Sequence, residues 1–423
     1  MRSFATMLPA CLLLSLRAVA AQGEDAAPLP VTGAENADLG SFDELMRSFL
    51  ARYKAPGAAL AVSRNGRVVY ARGFGHADAE KKQPVQPTAL FRIASVSKPI
   101  TAVAVMQLVE QGKLKLDDTM LTMLPPDTRP ANSGDVRTEQ ITIRHLLQHS
   151  GGWDSAKTSY DPMFRSIEIA KAEKADPPAD SEAIVRFMLR RKLDFQPGER
   201  YAYSNFGYCV LGRIIEQATQ QGYEGYVKQR VLAPLGIETM RIGKSLAEGR
   251  APGEVEYFDT QGRKGAAVVG EKLGAPVPLP YGTFYIEAMD AHGGWLASAV
   301  DLARFVGAFD DPARCKVLKA ESVRTMWERP AGAAGNEKDG TPKAAFYACG
   351  WMVRPAGDKG GVNAWHNGDL PGTSTLLVHR HDGLSWAVLF NTRSDAKGAP
   401  LAGLIDGLVH QAADAVKKWP EGE

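Results

Sequence analysis

The chain has 423 residues, 44% apolar and 23% charged, as in ordinary soluble globular proteins with one large domain or two smaller ones. Its 50 basic and 48 acidic residues leave a net charge of +2 with no basic stripe. That argues against nucleic acid or a membrane surface and leaves a small-molecule or peptide partner. Arg2, the apolar run 7–16 and the small residues Ala18, Val19 and Ala20 predict a secretory signal peptide over 1–20, and so a periplasmic or secreted protein. That run is too short to span a bilayer as a helix. Residues 21–40, rich in Ala, Pro and Gly, read as a flexible leader. Helical spacing follows over 43–53, then a hairpin signal in which strand-like runs 58–63 and 68–71 flank Asn65 and Gly66. Helical patterns cover 101–111, 181–191 and 207–218, and Ser298 with Asp301 forms a capping box for a helix running to Phe309. Strand-like runs 346–353, 375–379 and 384–390 come next, the last two joined at His381, Asp382 and Gly383, before a closing helix over 401–418.

An isolated hairpin is barely stable in water, so the two hairpins at opposite ends of the chain are expected to share one sheet. The expected fold is α+β, a single domain over 41–423. An antiparallel sheet from about 41–100 and 290–423 is flanked by helices and carries a large, mainly helical insertion over about 101–289. With Cys11 in the signal, the odd number of cysteines left (Cys209, Cys315, Cys349) excludes a complete disulfide framework. Cys315 and Cys349 could pair, while Cys209 reads as a buried thiol. None has metal-site spacing, and neither metal nor cofactor is expected.

Three segments carry possible chemistry. In the first, Pro99 is tolerated only in the opening turn of a helix, which pins that helix to start near Ser95. Ser95 and Lys98 then lie one turn apart on one face, where free N–H groups and the helix dipole favour negative charge and a less basic lysine. That suits a serine nucleophile with a lysine base. Ser394 and Lys397 share the spacing, but in a polar segment before Gly398 and Pro400. The second segment is Tyr203, Ser204 and Asn205. The phenol can shuttle a proton if a nearby lysine lowers its pKa, and the amide can hold both a lysine and a substrate carbonyl. In the third, Trp365 to Gly372, His366 beside glycines on a strand edge allows close backbone approach by a ligand. His379, His381 and Asp382 imitate a metallo-hydrolase motif but straddle the hairpin turn, and no Gly-x-Ser-x-Gly elbow exists. Trp153, Asp154 and Trp295 could line a cleft, with core packing favoured for both tryptophans.

Taken together, the motifs around Ser95, Tyr203 and His366, in this order, resemble the serine β-lactamase and penicillin-binding protein superfamily. The likeness is to the branch holding class C β-lactamases, D-alanyl-D-alanine carboxypeptidases and related esterases. Segments 91–98, 143–152, 197–211, 232–236 and 293–298 also look like that branch, so the resemblance runs over about 42–392. It implies a β-lactamase/transpeptidase-like fold and an acyl-enzyme on Ser95. Lys98 and Tyr203 would share the base role, Tyr203 would protonate the leaving group, and Asn205 would orient Lys98 and substrate. It also implies substrate binding along His366, Asn367, Gly368 and Asp369, with an oxyanion hole from the N–H groups of Ser95 and Asp369. Where many members have Lys-Thr-Gly, this chain has His366, Asn367 and Gly368. Histidine is mostly neutral above about pH 7, so carboxylate recognition should be weaker or pH-dependent. This favours an esterase or D-peptidase over a penicillinase. The reading of another class is a non-catalytic cell-wall or ligand-binding protein that kept the fold.

Overall fold

The computed structural model describes residues 28–130, 134–357 and 360–420, and the expected signal peptide lies outside them. The strands are β1 (Val31–Thr32), β2 (Gly57–Arg64), β3 (Arg67–Gly75), β4 (Phe91–Arg92), β5 (Arg241–Ile242), β6 (Lys264–Ala266), β7 (Pro276–Pro278), β8 (Trp295–Ala297), β9 (Phe346–Tyr347), β10 (Met352–Ala356), β11 (Gly361–Leu370), β12 (Thr373–His379) and β13 (Leu384–Phe390). The helices are α1 (Gly40–Tyr53), α2 (Ser97–Glu110), α3 (Met120–Met123), α4 (Ile143–Leu147), α5 (Ser155–Thr158), α6 (Ser166–Glu173), α7 (Ser181–Leu189), α8 (Asn205–Thr219), α9 (Tyr223–Val227), α10 (Ala299–Gly307), α11 (Ala320–Met326) and α12 (Leu401–Asp414).

The two hairpins do share a sheet. Eight antiparallel strands run in the order β1-β3-β2-β13-β12-β11-β10-β9, with the ends of the chain joined where β2 meets β13. Asn65 (φ 51°) and Gly66 (φ 80°) supply the two left-handed residues that a two-residue turn between right-twisted strands requires. Both central strands are buried on both faces, which is why they read as nearly continuous apolar runs. On one face Leu60, Val62, Trp386 and Val388 pack with residues of α1 and α12. On the other, Ala59, Ala61, Ala387 and Leu389 join the larger core with α2, α8 and α10.

α2 is buried along all but its last two residues, so its apolar side chains show no single stripe. A three-stranded ribbon, β4-β8-β5, ties the strand just before Ser95 to Trp295–Ala297. The capping box is present: the Ser298 hydroxyl and the Asp301 carboxylate bond each other's backbone N–H at the start of α10.

Three expectations need correction. Within the leader, Val31 and Thr32 form the edge strand β1, held by backbone pairing to β3 and by the Thr32 hydroxyl on Val85 O, an interaction invisible to composition. α12 stops at Asp414 rather than 418. Cys315 and Cys349, which could have paired, are both free thiols, while Cys209 is a buried free thiol as expected.

Candidate active site

Ser95 sits in a 3-10 turn, Ala94–Val96, that leads straight into α2. Ala94 adopts a left-handed φ of 47°, strained for a residue with a Cβ, and the kink leaves Ser95 as the accessible residue in an otherwise buried run. The turn is clamped from both sides. Ile93 N–H donates to Trp295 O at 3.0 Å, and the hydroxyls of Thr373 and Thr375 on β12 donate to Arg92 O (2.8 Å) and Ile93 O (2.9 Å). Pro99 falls in the first turn of α2, as its chemistry requires.

Lys98 is fully buried. Its Nζ lies 2.8 Å from Asn205 Oδ1, 3.0 Å from His292 O and 3.1 Å from Ser95 Oγ. Burial pushes the amine well below its ordinary range against the smaller opposing pull of Asp161. A neutral amine has two N–H bonds and one lone pair. The two carbonyl oxygens can only accept, so they take both N–H bonds and leave the lone pair for the Ser95 hydroxyl proton. Asn205 is held in the required orientation because its Nδ2 donates to Asp161 Oδ2 at 2.7 Å. Ser204, the residue before it, caps α8 by accepting from Gly207 N–H.

The Tyr203 hydroxyl lies 2.7 Å from Ser95 Oγ. Its pKa moves opposite to the expectation: burial raises it, outweighing the Ser95 hydrogen bond that lowers it. The phenol therefore keeps its proton and donates to Ser95 Oγ, which leaves the serine hydroxyl proton facing Lys98 Nζ.

The third motif lies on β11, which outruns its neighbour. β10 pairs only as far as Trp365, so His366 to Leu370 bond β12 on one side and present a free edge on the other. Side chains alternate along the strand. Gly368 faces the Ser95 turn so closely that a Cβ there would come 2.3 Å from Ile93 O and 2.9 Å from Ser95 N. His366 is buried on the same face, its Nε2 2.9 Å from the Tyr347 hydroxyl. Desolvation, with Lys98 nearby, lowers its pKa to about 3. The expected pH-dependence of His366 is thereby corrected, since the ring is neutral across the physiological range. Asn367 and Asp369 line the cleft, yet their side chains bond each other, and Asp369 accepts the Ser374 hydroxyl at 2.7 Å.

These groups meet in a cleft of about 530 Å³ whose walls add Phe164, Met289, Leu370 and Arg393. Trp295 is wholly buried, Trp153 nearly so, and the Asp154 carboxylate pairs with Arg200. Sequence reasoning missed Asp161, His292, Tyr347 and Arg393, because each reaches the site from a distant segment without a motif of its own. Among the described residues no group of three or more His, Cys, Asp or Glu side chains could hold a metal ion. His379 instead pairs with Asp310 at 3.2 Å.

The sequence profile of the family described as Beta-lactamase matches residues 42–410. The protein flp of Staphylococcus aureus (strain MW2) is 31% identical over 355 residues, which are 84% of this chain. The chain thus spans 63% of that relative's length. Esterase EstB of Burkholderia gladioli is 31% identical over 382 residues, covering 85% of this chain and 91% of the esterase. Among solved structures, the octameric penicillin-binding protein homologue from Pyrococcus abyssi superposes with a TM-score of 0.65 at 27% identity, covering 88% of this chain and 78% of that one. With a family match over most of its length and this fold, the chain belongs to the Beta-lactamase family of hydrolases.

Proposed function

We propose that this protein is an exported serine hydrolase that forms an acyl-enzyme on Ser95 and hydrolyses esters or amides, D-peptides included, of small-molecule or peptide substrates. One observation carries the reading. A single hydroxyl, Ser95 Oγ, is contacted at 3.1 Å by a buried amine whose two N–H bonds are already committed, and at 2.7 Å by a phenol that keeps its proton. Ser95 attacks the acyl carbon as its proton passes to Lys98. The Tyr203 proton goes to the departing oxygen or nitrogen, and Lys98 returns a proton to the phenolate. The N–H groups of Ser95 and Asp369 would stabilise the oxyanion, each such donor contributing on the order of 3 kcal/mol. Water then releases the acyl group. Export rests on the sequence of residues 1–20, and no helix among the described residues is long and apolar enough to cross a membrane.

An esterase or D-peptidase is favoured over a penicillinase because a neutral His366 supplies no cation for a substrate carboxylate. The likeness to an esterase over 85% of the chain supports the same choice. Incubation with a fluorophosphonate or a penicillin should give one covalent adduct by intact mass, mapping to Ser95 and absent in Ser95→Ala. No adduct with any acylating probe sinks the proposal. Turnover of p-nitrophenyl esters and D-alanyl peptides is expected to exceed that of nitrocefin, and the reverse order would overturn the substrate assignment.

A further inference from the structure

We propose that His149 is the positioning residue for Tyr203, clamping its loop so that the phenol stays on the Ser95 hydroxyl in line with a departing group. The inference rests on the acid role of Tyr203 proposed above.

The two backbone amides that flank Tyr203 both end on this one residue. Ala202 N–H donates to His149 O at 2.8 Å, and Ser204 N–H donates to His149 Nδ1 at 3.2 Å. The imidazole also lies against the Tyr203 ring, centroids 4.4 Å apart. It lies equally close, at 4.4 Å, to Tyr347, whose hydroxyl contacts His366 of the third motif. His149 therefore joins the second motif to the third from behind the cleft.

An amide can only donate, so Nδ1 accepts and the ring proton sits on Nε2. That nitrogen is buried without a hydrogen-bond partner among the described residues, and the backbone holds a left-handed φ of 54°. Both features are costly, and a phenylalanine would fill the same space without the orphaned N–H. What a phenylalanine lacks is the acceptor for Ser204. With that acceptor gone, the loop loses one of its two ties to His149, and Tyr203 its register on Ser95.

The chemistry supplies a test that a merely structural role would not pass. In acylation the Ser95 Oγ–carbon bond forms, the bond to the departing oxygen breaks, the serine proton moves to Lys98 and the Tyr203 proton moves to the departing oxygen. A p-nitrophenolate leaves without that last proton, whereas an ethoxide does not. The measurement is kcat/KM for matched ethyl and p-nitrophenyl esters in wild type, Tyr203→Phe, His149→Phe and His149→Asn. His149→Phe should lose about 100-fold on the ethyl ester and only a few-fold on the p-nitrophenyl ester. His149→Asn, whose amide oxygen can take the Nδ1 position and which tolerates a left-handed φ, should recover most of the ethyl-ester rate. Equal losses on both esters in a folded variant, or no loss, overturn the proposal. If Tyr203→Phe itself shows no preference between leaving groups, the acid role fails instead. Nitrogen-15 NMR of the wild-type imidazole judges the clamp without any variant: a ring protonated on Nε2 alone between pH 8 and 5 is expected, and one protonated on Nδ1 refutes it.

Discussion

At the scale of single residues the site is a problem in hydrogen-bond valence. In the proposed mechanism Lys98 is the base, because burial lowers its pKa and two carbonyl oxygens take the N–H bonds of the neutral amine and so fix where its lone pair points. Lys98→Met should therefore lower kcat/KM by about 10²–10⁴-fold in a steady-state ester assay, with the fold unchanged by circular dichroism. The same argument sets the pH profile. Activity needs the neutral amine, so kcat/KM should rise with pH through the lowered lysine pKa. It should not fall again below about pH 10, because burial holds the Tyr203 proton above the ordinary phenol range. A descending limb near neutrality, measured with a neutral ester, would show that the phenol titrates and works as a base. Ser95, Lys98, Tyr203 and Asn205 were legible in the sequence because each pair sits within three residues in a fixed helical or loop context. Asp161 and His292 were not. One acts through Asn205 from 44 residues away and the other through a backbone carbonyl, which has no residue type to recognise.

At the scale of elements, the proposed catalysis depends on how closely β11 approaches the turn before α2. Gly368 makes that approach possible, and Gly368→Ala must push Ile93 O or the Ser95 turn aside. The expected result is a loss of fluorophosphonate labelling at Ser95 of roughly 100-fold, the scale for disturbing an oxyanion donor. A fully reactive variant would mean the strand can retreat without harm. The N-terminus of α10 offers a contrast away from the chemistry. Ser298→Ala removes a capping box and should cost about 1 kcal/mol, read as a lower thermal midpoint with the rate constants of the folded enzyme preserved. Both elements could be placed from sequence, the first from a proline in an opening turn and the second from Ser298 and Asp301. β1 could not, since a strand of two residues is too short to leave a period to read.

At the scale of the whole molecule, one sheet divides two cores, and the ionisable groups of the site are sealed between the sheet and the helical body. Burial lowers the pKa values of His149, His292 and His366, the last to about 3. Below an unfolded pKa of about 6.5 the unfolded chain binds protons that the folded one refuses, so stability falls as pH drops. Each such histidine contributes up to about 1.4 kcal/mol per pH unit. Asp161 and Asp369, raised by burial, act in the opposite sense once the pH nears the carboxylate range, so the loss is cleanest between pH 7 and 5. The urea midpoint should fall across that interval, and His366→Gln should flatten the slope. A midpoint independent of pH would mean these rings are not buried in the folded protein.

The sequence by itself determined what is local or ordered along the chain: the helix that begins near Ser95, the two hairpins, the three motifs and their succession. These follow from turn chemistry, periodicity and spacing, which neighbours in sequence set among themselves. The tertiary structure alone decided which way the phenol and His366 titrate, which carbonyls hold the lysine, and that a short leader strand closes the sheet edge. Those outcomes depend on desolvation and on contacts between segments tens to hundreds of residues apart, and no local pattern encodes how deeply a group is buried.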